Sequence, residues 1–474
     1  MLQGEWDEGR WREHVREAVV AAAPRPLLLC VPADLDAAAV DRLVGAARAA
    51  GVGAVVVDGS VAAKPAGRLT GLPAREAALK QVRHLRRRWG GALVIVAGGG
   101  VHEPADALEL REAGADLVQL DSGLVYTGPG LPKRVNDALL FAEARPAPRP
   151  ADGEASERPS ERSWFWAALM GAGMLFGSVL ALAIASTRVV LPYDESLAGM
   201  SRAELAQVND RLLAFMAHDR VSLAGTMIAI RVLYLGLALG GMRRGLHWAK
   251  VAVCASAFTG FGSFFLFLCF GYFDPFHAFV TAVLFQFLLL ALHCRLGPPA
   301  PAAPPLLRAD RAWRCNQWGQ FLFVLQGCGL LGAGLAITTI GATSVFVPED
   351  LEFMRTTAEA LQSDNPRLVP LIAHDRATFG GMLLAGGLVV LLTALWGFRP
   401  GDRWLWWSLL AAGPPAYAAA IGVHLVVHYT NLRHLAPPAA GVALFVLGLA
   451  LSYPSLCRPN RANEEAWHRL GRRL

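Results

Sequence analysis

The hydrophobic positions divide the chain into two parts with different patterns. Between residues 164 and 454, apolar runs of about 18–25 residues alternate with polar segments. A bilayer core requires about 20 apolar residues per helix, and a helix satisfies its own backbone hydrogen bonds inside such a run. The pattern predicts eight transmembrane helices, at 164–186, 221–242, 251–272, 277–294, 318–342, 377–398, 404–427 and 435–453.

The first 141 residues instead alternate short apolar strands with helical patterns. An amphipathic pattern over 5–22 predicts a helix that caps this part of the chain. Strands are predicted at 27–31, 54–58, 92–99 and 116–121, with helices near 35–50, 74–88 and 103–113. Continuous apolar strands flanked by helices favour a parallel sheet covered on both faces, and four βα units are half of an eightfold barrel. The predicted fold is an α/β half TIM barrel, (βα)4, followed by an all-α polytopic membrane domain.

These patterns and the composition between them predict six regions. They are a half-barrel at 1–141, a flexible Pro-, Glu- and Arg-rich linker at 142–163, a first membrane unit at 164–296, a linker at 297–316, a second membrane unit at 317–454 and a basic tail at 455–474.

Composition and charge favour a membrane protein. Apolar residues make up 54% of the chain and charged residues only 17%, against about 25% in ordinary soluble proteins. Most basic residues near the spans fall on one side, so the positive-inside rule places both termini in the cytoplasm. We therefore expect a multi-pass protein of the inner (plasma) membrane, with lipid rather than nucleic acid as its partner. The seven cysteines form no CxxC pair, and the charged N-terminus predicts no cleaved signal peptide.

The membrane part also repeats itself. The motif Ala-His-Asp-Arg occurs at 217–220 and again at 373–376, an offset of 156 residues. Aligned at this offset, 188–225 and 344–381 share 12 of 38 residues. We therefore predict two parallel four-helix repeats, related by a pseudo-twofold axis along the membrane normal.

Two interpretations of the repeated motif stay open at this point. In the structural one, Asp219 and Asp375 cap helix N-termini. The arginine that follows each of them pairs with lipid phosphates or with acids of the predicted outer segments, 187–220 and 343–376. In the functional one, histidines of each repeat converge on a metal, a haem or a quinone head group. The candidate ligands are His218 with His277, and His374 with His434.

One stretch of the soluble part resembles a known family. The sequence "GGGVHEPADALELREAGADLVQLDSGLVYTGPGLPKRV" at 98–135 is similar to the C-terminal part of quinone-using dihydroorotate dehydrogenases, and "GRLTGLP" at 67–73 resembles a turn of the same barrel. The resemblance covers roughly 25–141 and implies FMN as cofactor. It implies contact between Gly71 and the flavin, and an FMN phosphate held by Gly99, Gly100, Ser122 and Gly123. An active protein would be an FMN-dependent oxidoreductase of pyrimidine biosynthesis, acting on CH–CH donors with quinone as acceptor.

The sequence departs from the family at positions that matter for catalysis. Cys30 stands where the family has a lysine that supports the flavin, Gly59-Ser60 replaces Asn-Thr, and Asp121 replaces a tyrosine. The first four βα units have no counterpart, so the catalytic residues are unknown, and a truncated gene model stays open. We expect a degenerate domain whose open sheet edges favour self-association or a partner chain.

Three roles follow as alternatives. They are flavin-linked redox with the quinone pool, a non-enzymatic membrane scaffold or sensor, and a haem- or metal-binding membrane unit that uses the outer histidines.

Overall fold

The computed structural model describes residues 8–64, 67–143, 161–264, 270–271, 273–297 and 304–471. These residues form two compact units. The first unit holds the N-terminal α/β domain with the short segments 304–309 and 460–471, and the second unit holds the long apolar helices.

A parallel four-stranded sheet is the centre of the first unit. The strands of the domain are β1 (Leu28–Pro32), β2 (Ala54–Asp58), β3 (Ser60–Ala62), β4 (Arg68–Thr70), β5 (Val94–Ala97) and β6 (Leu117–Val118). The parallel sheet has the order β1-β2-β5-β6, and β3 and β4 form a separate antiparallel hairpin. The parallel sheet was predicted, whereas the hairpin lies between the predicted strand at 54–58 and the predicted helix near 74–88, where a long loop was expected.

Helices cover this sheet on one face. They are α1 (Glu8–Ala22), α2 (Ala37–Ala49), α3 (Arg75–Trp89), α4 (Pro104–Ala113), α5 (Ser122–Thr127) and α6 (Leu131–Glu143). Val55 and Ile95 point into the buried core, but Val94 and Leu117 are 44% and 59% exposed on the other face. Coverage on both faces was therefore a wrong prediction for the described residues, because the helices pack on one face of the sheet only. The closed barrel is not formed by these strands.

Two segments from later in the chain, 304–309 and 460–471, complete the first unit. The indole N–H of Trp467 donates to the Pro305 carbonyl over 2.7 Å. The Trp467 ring also meets Phe141 edge-on, with 4.8 Å between ring centroids. The segment 304–309 and the C-terminal helix therefore fold together with the α/β domain.

The second unit consists of helices. They are α7 (Ser163–Thr187), α8 (Pro192–Ala198), α9 (Arg202–Val208), α10 (Leu212–Gly236), α11 (His247–Phe264), α12 (Pro275–His293), α13 (Arg311–Ala342), α14 (Pro348–Met354), α15 (Ala358–Asp364), α16 (Leu368–Gly397), α17 (Arg403–Val426) and α18 (Leu432–Cys457). The C-terminal helix of the first unit is α19 (Arg461–Gly471). A π-helical segment (Leu237–Gly241) and a 3-10 segment (Met242–Arg244) extend α10 as far as Arg244.

Seven of the described helices are long and apolar enough to cross a membrane. They are α7, α10 with its extension, α12, α13, α16, α17 and α18. The third predicted span, 251–272, is not among them. Within that range α11 is described only as far as Phe264, and 265–269 and 272 lie outside the described residues. The count of eight spans therefore stays a prediction, and most of 142–163 also lies outside the described residues.

Glycines at seven-residue spacing bring α13 and α16 together. A Cβ atom at Gly334 would lie 2.6 Å from the Leu384 backbone nitrogen, and one at Gly380 would lie 2.4 Å from the Thr338 backbone nitrogen. Gly387 repeats the contact one heptad after Gly380. Small residues allow helix backbones to approach closely inside a membrane, where apolar burial supplies little force between helices. We call this contact the glycine seam.

Candidate functional sites

The five residues implied as phosphate or flavin contacts lie together at the carboxyl ends of the strands. We call this set, Gly71, Gly99, Gly100, Ser122 and Gly123, the turn cluster. A Cβ atom at Gly71 would lie 2.9 Å from the Ser122 Oγ, and one at Gly100 would lie 3.0 Å from the Gly71 carbonyl oxygen. The turns after the parallel strands β5 and β6 therefore meet at the carboxyl ends of those strands, and the turn after the hairpin strand β4 lies against them.

The turn after β5 presents backbone donors. Gly99 and Gly100 have φ angles of 114° and 67°, which residues with a side chain rarely adopt. Their N–H groups donate no hydrogen bond to any described residue. Consecutive N–H groups in such a turn form a concave site that favours anions.

Sequence reasoning missed a histidine beside this turn. The His102 Nε2 lies 2.9 Å from the Ser122 Oγ, and the His102 ring stacks on Tyr126 with 5.4 Å between centroids. Thr127 donates to the His102 carbonyl over 2.9 Å. The position of His102, two residues after the glycine pair, was the available signal. His102 therefore orients the Ser122 hydroxyl, which is the one hydroxyl of the turn cluster.

Asp121 opposes a phosphate in the same region, and Cys30 on β1 supplies no positive charge for a flavin. Asp121 is exposed immediately before α5, so its carboxylate repels an anion at the first turn of that helix. Cys30 is exposed on β1. Burial of part of the thiol and the nearby Asp58 carboxylate raise the pKa of Cys30, so the thiol stays neutral and supplies no positive charge.

The repeated arginines of the second unit form two buried clusters. Arg220 donates to the Asp194 carboxylate over 2.6 Å and to the Asp375 carboxylate over 2.8 Å. It also donates to the Val189 carbonyl over 2.8 Å. Asp375 belongs to the other copy of the motif, so the arginine of the first copy pairs with the aspartate of the second.

The second cluster is the counterpart of the first. Arg376 donates to the Asp219 carboxylate over 3.2 Å and to the Val345 carbonyl over 2.9 Å. It also pairs with Asp350, whose side chain is fully buried. Each partner of Arg376 stands 156 positions from the matching partner of Arg220, so the two motifs exchange aspartates.

Local backbone strain accompanies both clusters. Val189 and Val345 have φ angles of 66° and 63°, in a region that β-branched residues avoid. The strain places each valine carbonyl where an arginine N–H meets it. Such strain costs about 1–3 kcal/mol per residue and persists only where surrounding contacts impose it.

The structural interpretation of the motif was right for the arginines and wrong for the aspartates. Arg220 and Arg376 do pair with acids of the outer segments. However, α10 begins at Leu212 and α16 at Leu368, seven residues before each aspartate. The carboxylates therefore lie within the helices and bind a guanidinium, rather than capping an N-terminus.

The histidines converge in pairs that differ from the predicted ones. His218 lies near His424, with 3.1 Å between the two Nε2 atoms, and its ring centroid is 6.4 Å from that of His434. His374 and His277 instead line one cavity together. The pairing crosses between the two halves of the sequence because the motifs exchange partners.

A tyrosine completes the larger histidine group. Tyr429 donates to the Asp350 carboxylate over 2.9 Å and lies 3.2 Å from the His434 Nε2. Burial and the Asp350 carboxylate raise the pKa of Tyr429, so the phenol stays a neutral donor. Among the described residues, no group of three or more His, Cys, Asp or Glu side chains could hold a metal ion. The haem or metal prediction for His218, His277, His374 and His434 therefore has no support.

Two cavities extend from the clusters between the helices. The smaller, about 420 Å³, is lined at one end by Arg220, His277 and His374. The larger, about 670 Å³, is lined by Arg376 and the histidine group around His218. The remaining lining of both cavities is mostly apolar. Each cavity therefore suits an amphipathic molecule better than a hydrophilic one.

Comparisons with known proteins identify the domain that carries the turn cluster. A model of the dihydroorotate dehydrogenase family matches residues 42–141. The quinone-type dihydroorotate dehydrogenase of Chloroflexus aurantiacus is 39% identical over 130 residues, which are 25% of this chain and 36% of that protein. The corresponding proteins of Sphingopyxis alaskensis and Thermus thermophilus are each 37% identical, over 140 and 142 residues. These matches cover 28% of this chain in both cases, and 39% and 41% of the relatives.

The N-terminal domain is dihydroorotate-dehydrogenase-like. The chain spans only 36% to 41% of the length of these relatives. A crystal structure of DHODH in complex with ferulenol from Eimeria tenella also matches, with 22% identity over 28% of this chain and 45% of that one. Its TM-score of 0.25 is too low to establish a shared overall fold.

The dihydroorotate-dehydrogenase-like domain fits part of an FMN molecule. The free N–H groups of Gly99 and Gly100, with the Ser122 hydroxyl, are suitable donors for a phosphate. A flavin ring has less support, because Cys30 carries no positive charge and one face of the sheet is exposed. The turn cluster therefore suits a phosphate more clearly than a flavin ring.

Proposed function

We propose that this chain is a membrane protein whose dihydroorotate-dehydrogenase-like domain binds the phosphate of FMN or of a similar nucleotide without oxidising dihydroorotate by itself. The observation that carries the proposal is the convergence of free backbone donors and a hydroxyl in the turn cluster. The domain then acts as a ligand-binding module attached to the membrane helices, which makes the protein a sensor rather than an enzyme.

Several features support binding without turnover. The residues that match the family correspond to the smaller part of each relative. Asp121 and Cys30 both weaken the electrostatic environment that an anionic flavin requires. The exposed apolar face of the sheet, with Val94 and Leu117, supports the expected pairing of this half-barrel with a second copy or a partner chain.

The packing of the first unit supports an even number of membrane spans between the N-terminal domain and the segment 304–309. The domain and the segment 304–309 fold together, so they lie on one side of the membrane. Three candidate spans lie between them, α7, α10 and α12, and an odd number would separate them. We infer that α11 crosses as well, giving eight spans, with both termini and the basic segments in the cytoplasm.

A second candidate function is flavin-linked electron exchange with the quinone pool. The matched relatives are named as quinone-type enzymes, and the membrane unit holds two mostly apolar cavities with hydrogen-bonding groups at one end. Reduction of an added short-chain quinone by photoreduced, FMN-loaded protein would favour this role. An FMN-loaded protein that leaves the quinone oxidised would favour the sensor.

The turn cluster predicts a specific effect of charge on FMN binding. Ser122→Asp places a carboxylate at the proposed phosphate, and we expect FMN affinity to fall about tenfold or more through like-charge repulsion. Asp121→Asn removes the existing repulsion and should raise affinity about fivefold. Flavin fluorescence quenching during titration of the full-length protein measures both changes.

Gly91→Asp is the matched control, since a Cβ atom there meets nothing within 4 Å. It adds the same charge to the same domain away from the turn cluster, so affinity should not change. Wild-type protein that binds neither FMN nor inorganic phosphate would contradict the proposal and leave the non-enzymatic scaffold. Equal loss of affinity in Gly91→Asp and Ser122→Asp would show a general charge effect instead.

Orientation in the membrane is tested by labelling. Ser363 is exposed in the segment between α13 and α16, and Gly91 is exposed in the domain. We expect a membrane-impermeant maleimide to label Ser363→Cys in intact cells and Gly91→Cys only after lysis, with the parent chain as background. Labelling of both positions in intact cells, or of neither, would overturn the arrangement.

A further inference from the structure

An arginine lies unpaired inside the second unit. Arg231 is 2% exposed and belongs to the apolar run of α10. Its Nε and Nη1 atoms have no hydrogen-bond partner among the described residues. Its Nη2 lies 3.6 Å from the Met382 sulfur, a weak acceptor, and its guanidinium carbon lies 5.5 Å from the Tyr234 ring centroid.

The environment of Arg231 differs from that of the other buried arginines. Arg220 and Arg376 each meet two carboxylates, whereas no ion pair to Arg231 occurs among the described residues. Arg231 stands 12 positions after Asp219, or about 18 Å further along the helix axis. This depth is near the middle of a bilayer core about 30 Å thick. An unpaired charge there is costly and indicates a functional site.

The other half of the unit holds a glycine at the matching position. At the offset of 156, Arg231 corresponds to Gly387, a member of the glycine seam. A Cβ atom at Gly387 would lie 2.7 Å from the Leu331 backbone nitrogen, so α13 and α16 close directly on each other. In the first half an arginine takes the place of this glycine.

Arg231 lines the smaller cavity. The wall near it is apolar and includes Met174, Leu180, Met227 and Leu284. The volume of about 420 Å³ falls in the range of about 300–1,000 Å³ that is usual for small-molecule sites. The larger cavity is lined by Gly386 and Val389 on the matching helix and has no arginine at this position. Only the smaller cavity therefore pairs apolar walls with a deep, unpaired cation.

We propose that the smaller cavity binds a lipophilic carboxylate of the fatty-acid type, with the carboxylate on Arg231 and the hydrocarbon body along the apolar wall. A guanidinium has several donors for a carboxylate and remains charged when buried. A phospholipid is a poorer occupant, because its two acyl chains and its headgroup need more room than a cavity of about 420 Å³ provides. A quinone would leave the charge of Arg231 uncompensated.

Binding is tested with the full-length protein in lipid nanodiscs. The probe is a dansyl-labelled fatty acid, and the competitors are the fatty acid, the alcohol and the alkyl phosphate of one chain length, with empty nanodiscs as background. We expect the acid to compete about tenfold or more better than the alcohol, since a charged hydrogen bond is worth at least that factor. Arg231→Met should remove this preference, and Arg231→Lys should retain part of it.

A second measurement separates a ligand site from a structural role. Without ligand, Arg231→Met removes an uncompensated charge, so we expect the thermal midpoint to rise by a few degrees. Gln326→Met, in the larger cavity, is the control and should leave the preference for the acid unchanged. Equal binding of acid and alcohol, equal binding of alkyl phosphate and acid, or a lower thermal midpoint in Arg231→Met would each overturn the proposal.

Discussion

Arg376→Met should destabilise the second unit by about 3–5 kcal/mol, the usual cost of removing one partner from a buried ion pair. The side chain of Arg376 is 7% exposed, and its partners Asp219 and Asp350 are 4% and 0% exposed. The substitution leaves two carboxylates without a counter-charge and releases the strained carbonyl of Val345. Unfolding in mixed detergent micelles, followed by circular dichroism, measures the change.

The control for this prediction is an ion pair at the surface of the same unit. Arg433 pairs with Glu349 but is 84% exposed, so Arg433→Gln should cost no more than about 1 kcal/mol. Neutralising the partners as well, in Arg376→Met with Asp219→Asn and Asp350→Asn, should restore part of the loss. A single variant as stable as the wild type would mean that the network does not hold the two halves together.

Gly334→Leu should destabilise the helix pair α13 and α16 by about 3 kcal/mol, at the upper end of overpacking effects. The new Cβ atom would lie 2.6 Å from the Leu384 backbone nitrogen and 2.8 Å from the Gly380 carbonyl oxygen. Both are backbone atoms, which cannot rotate away as a side chain can. The helices must therefore separate, and the thermal midpoint in detergent should fall.

Gly332→Leu tests whether this effect belongs to the seam. Gly332 stands two positions earlier on the same helix, is exposed, and a Cβ atom there meets nothing within 4 Å. Because glycine costs a helix interior about 1 kcal/mol relative to alanine, the control should be neutral or slightly stabilising. Equal destabilisation by both substitutions would show that the helix tolerates no leucine, and would remove the special role of the seam.

The repeated motif shows how far sequence reasoning reaches. The offset of 156 predicted equivalent roles for Arg220 and Arg376, with acids of the outer segments or lipid phosphates as their partners. It did not reveal that each motif pairs with the aspartate of the other. An offset relates positions along the chain, whereas the exchange depends on how two helices face each other in space. The pairing of His218 with His424 and His434 was missed for the same reason.

In the dihydroorotate-dehydrogenase-like domain, the sequence likewise predicted local features but not contacts between distant segments. Apolar runs and turn residues placed the strands and most helices, because local spacing decides which residues can share a face. The resemblance to dihydroorotate dehydrogenases placed the turn cluster, and the comparisons confirm that resemblance. The hairpin of β3 and β4, the role of His102 beside Ser122 and the exposed face of the sheet depend on contacts between distant segments.

The sequence by itself determined that long apolar helices follow a dihydroorotate-dehydrogenase-like domain, since hydrophobic period and motif are local properties of the chain. The sequence also shows Arg231 within an apolar run, but this position alone does not reveal whether the charge has a partner. Only the tertiary structure decided that, because pairing depends on which helices lie within hydrogen-bond distance. The folded helices give Arg220 and Arg376 two carboxylates each and leave Arg231 with none among the described residues.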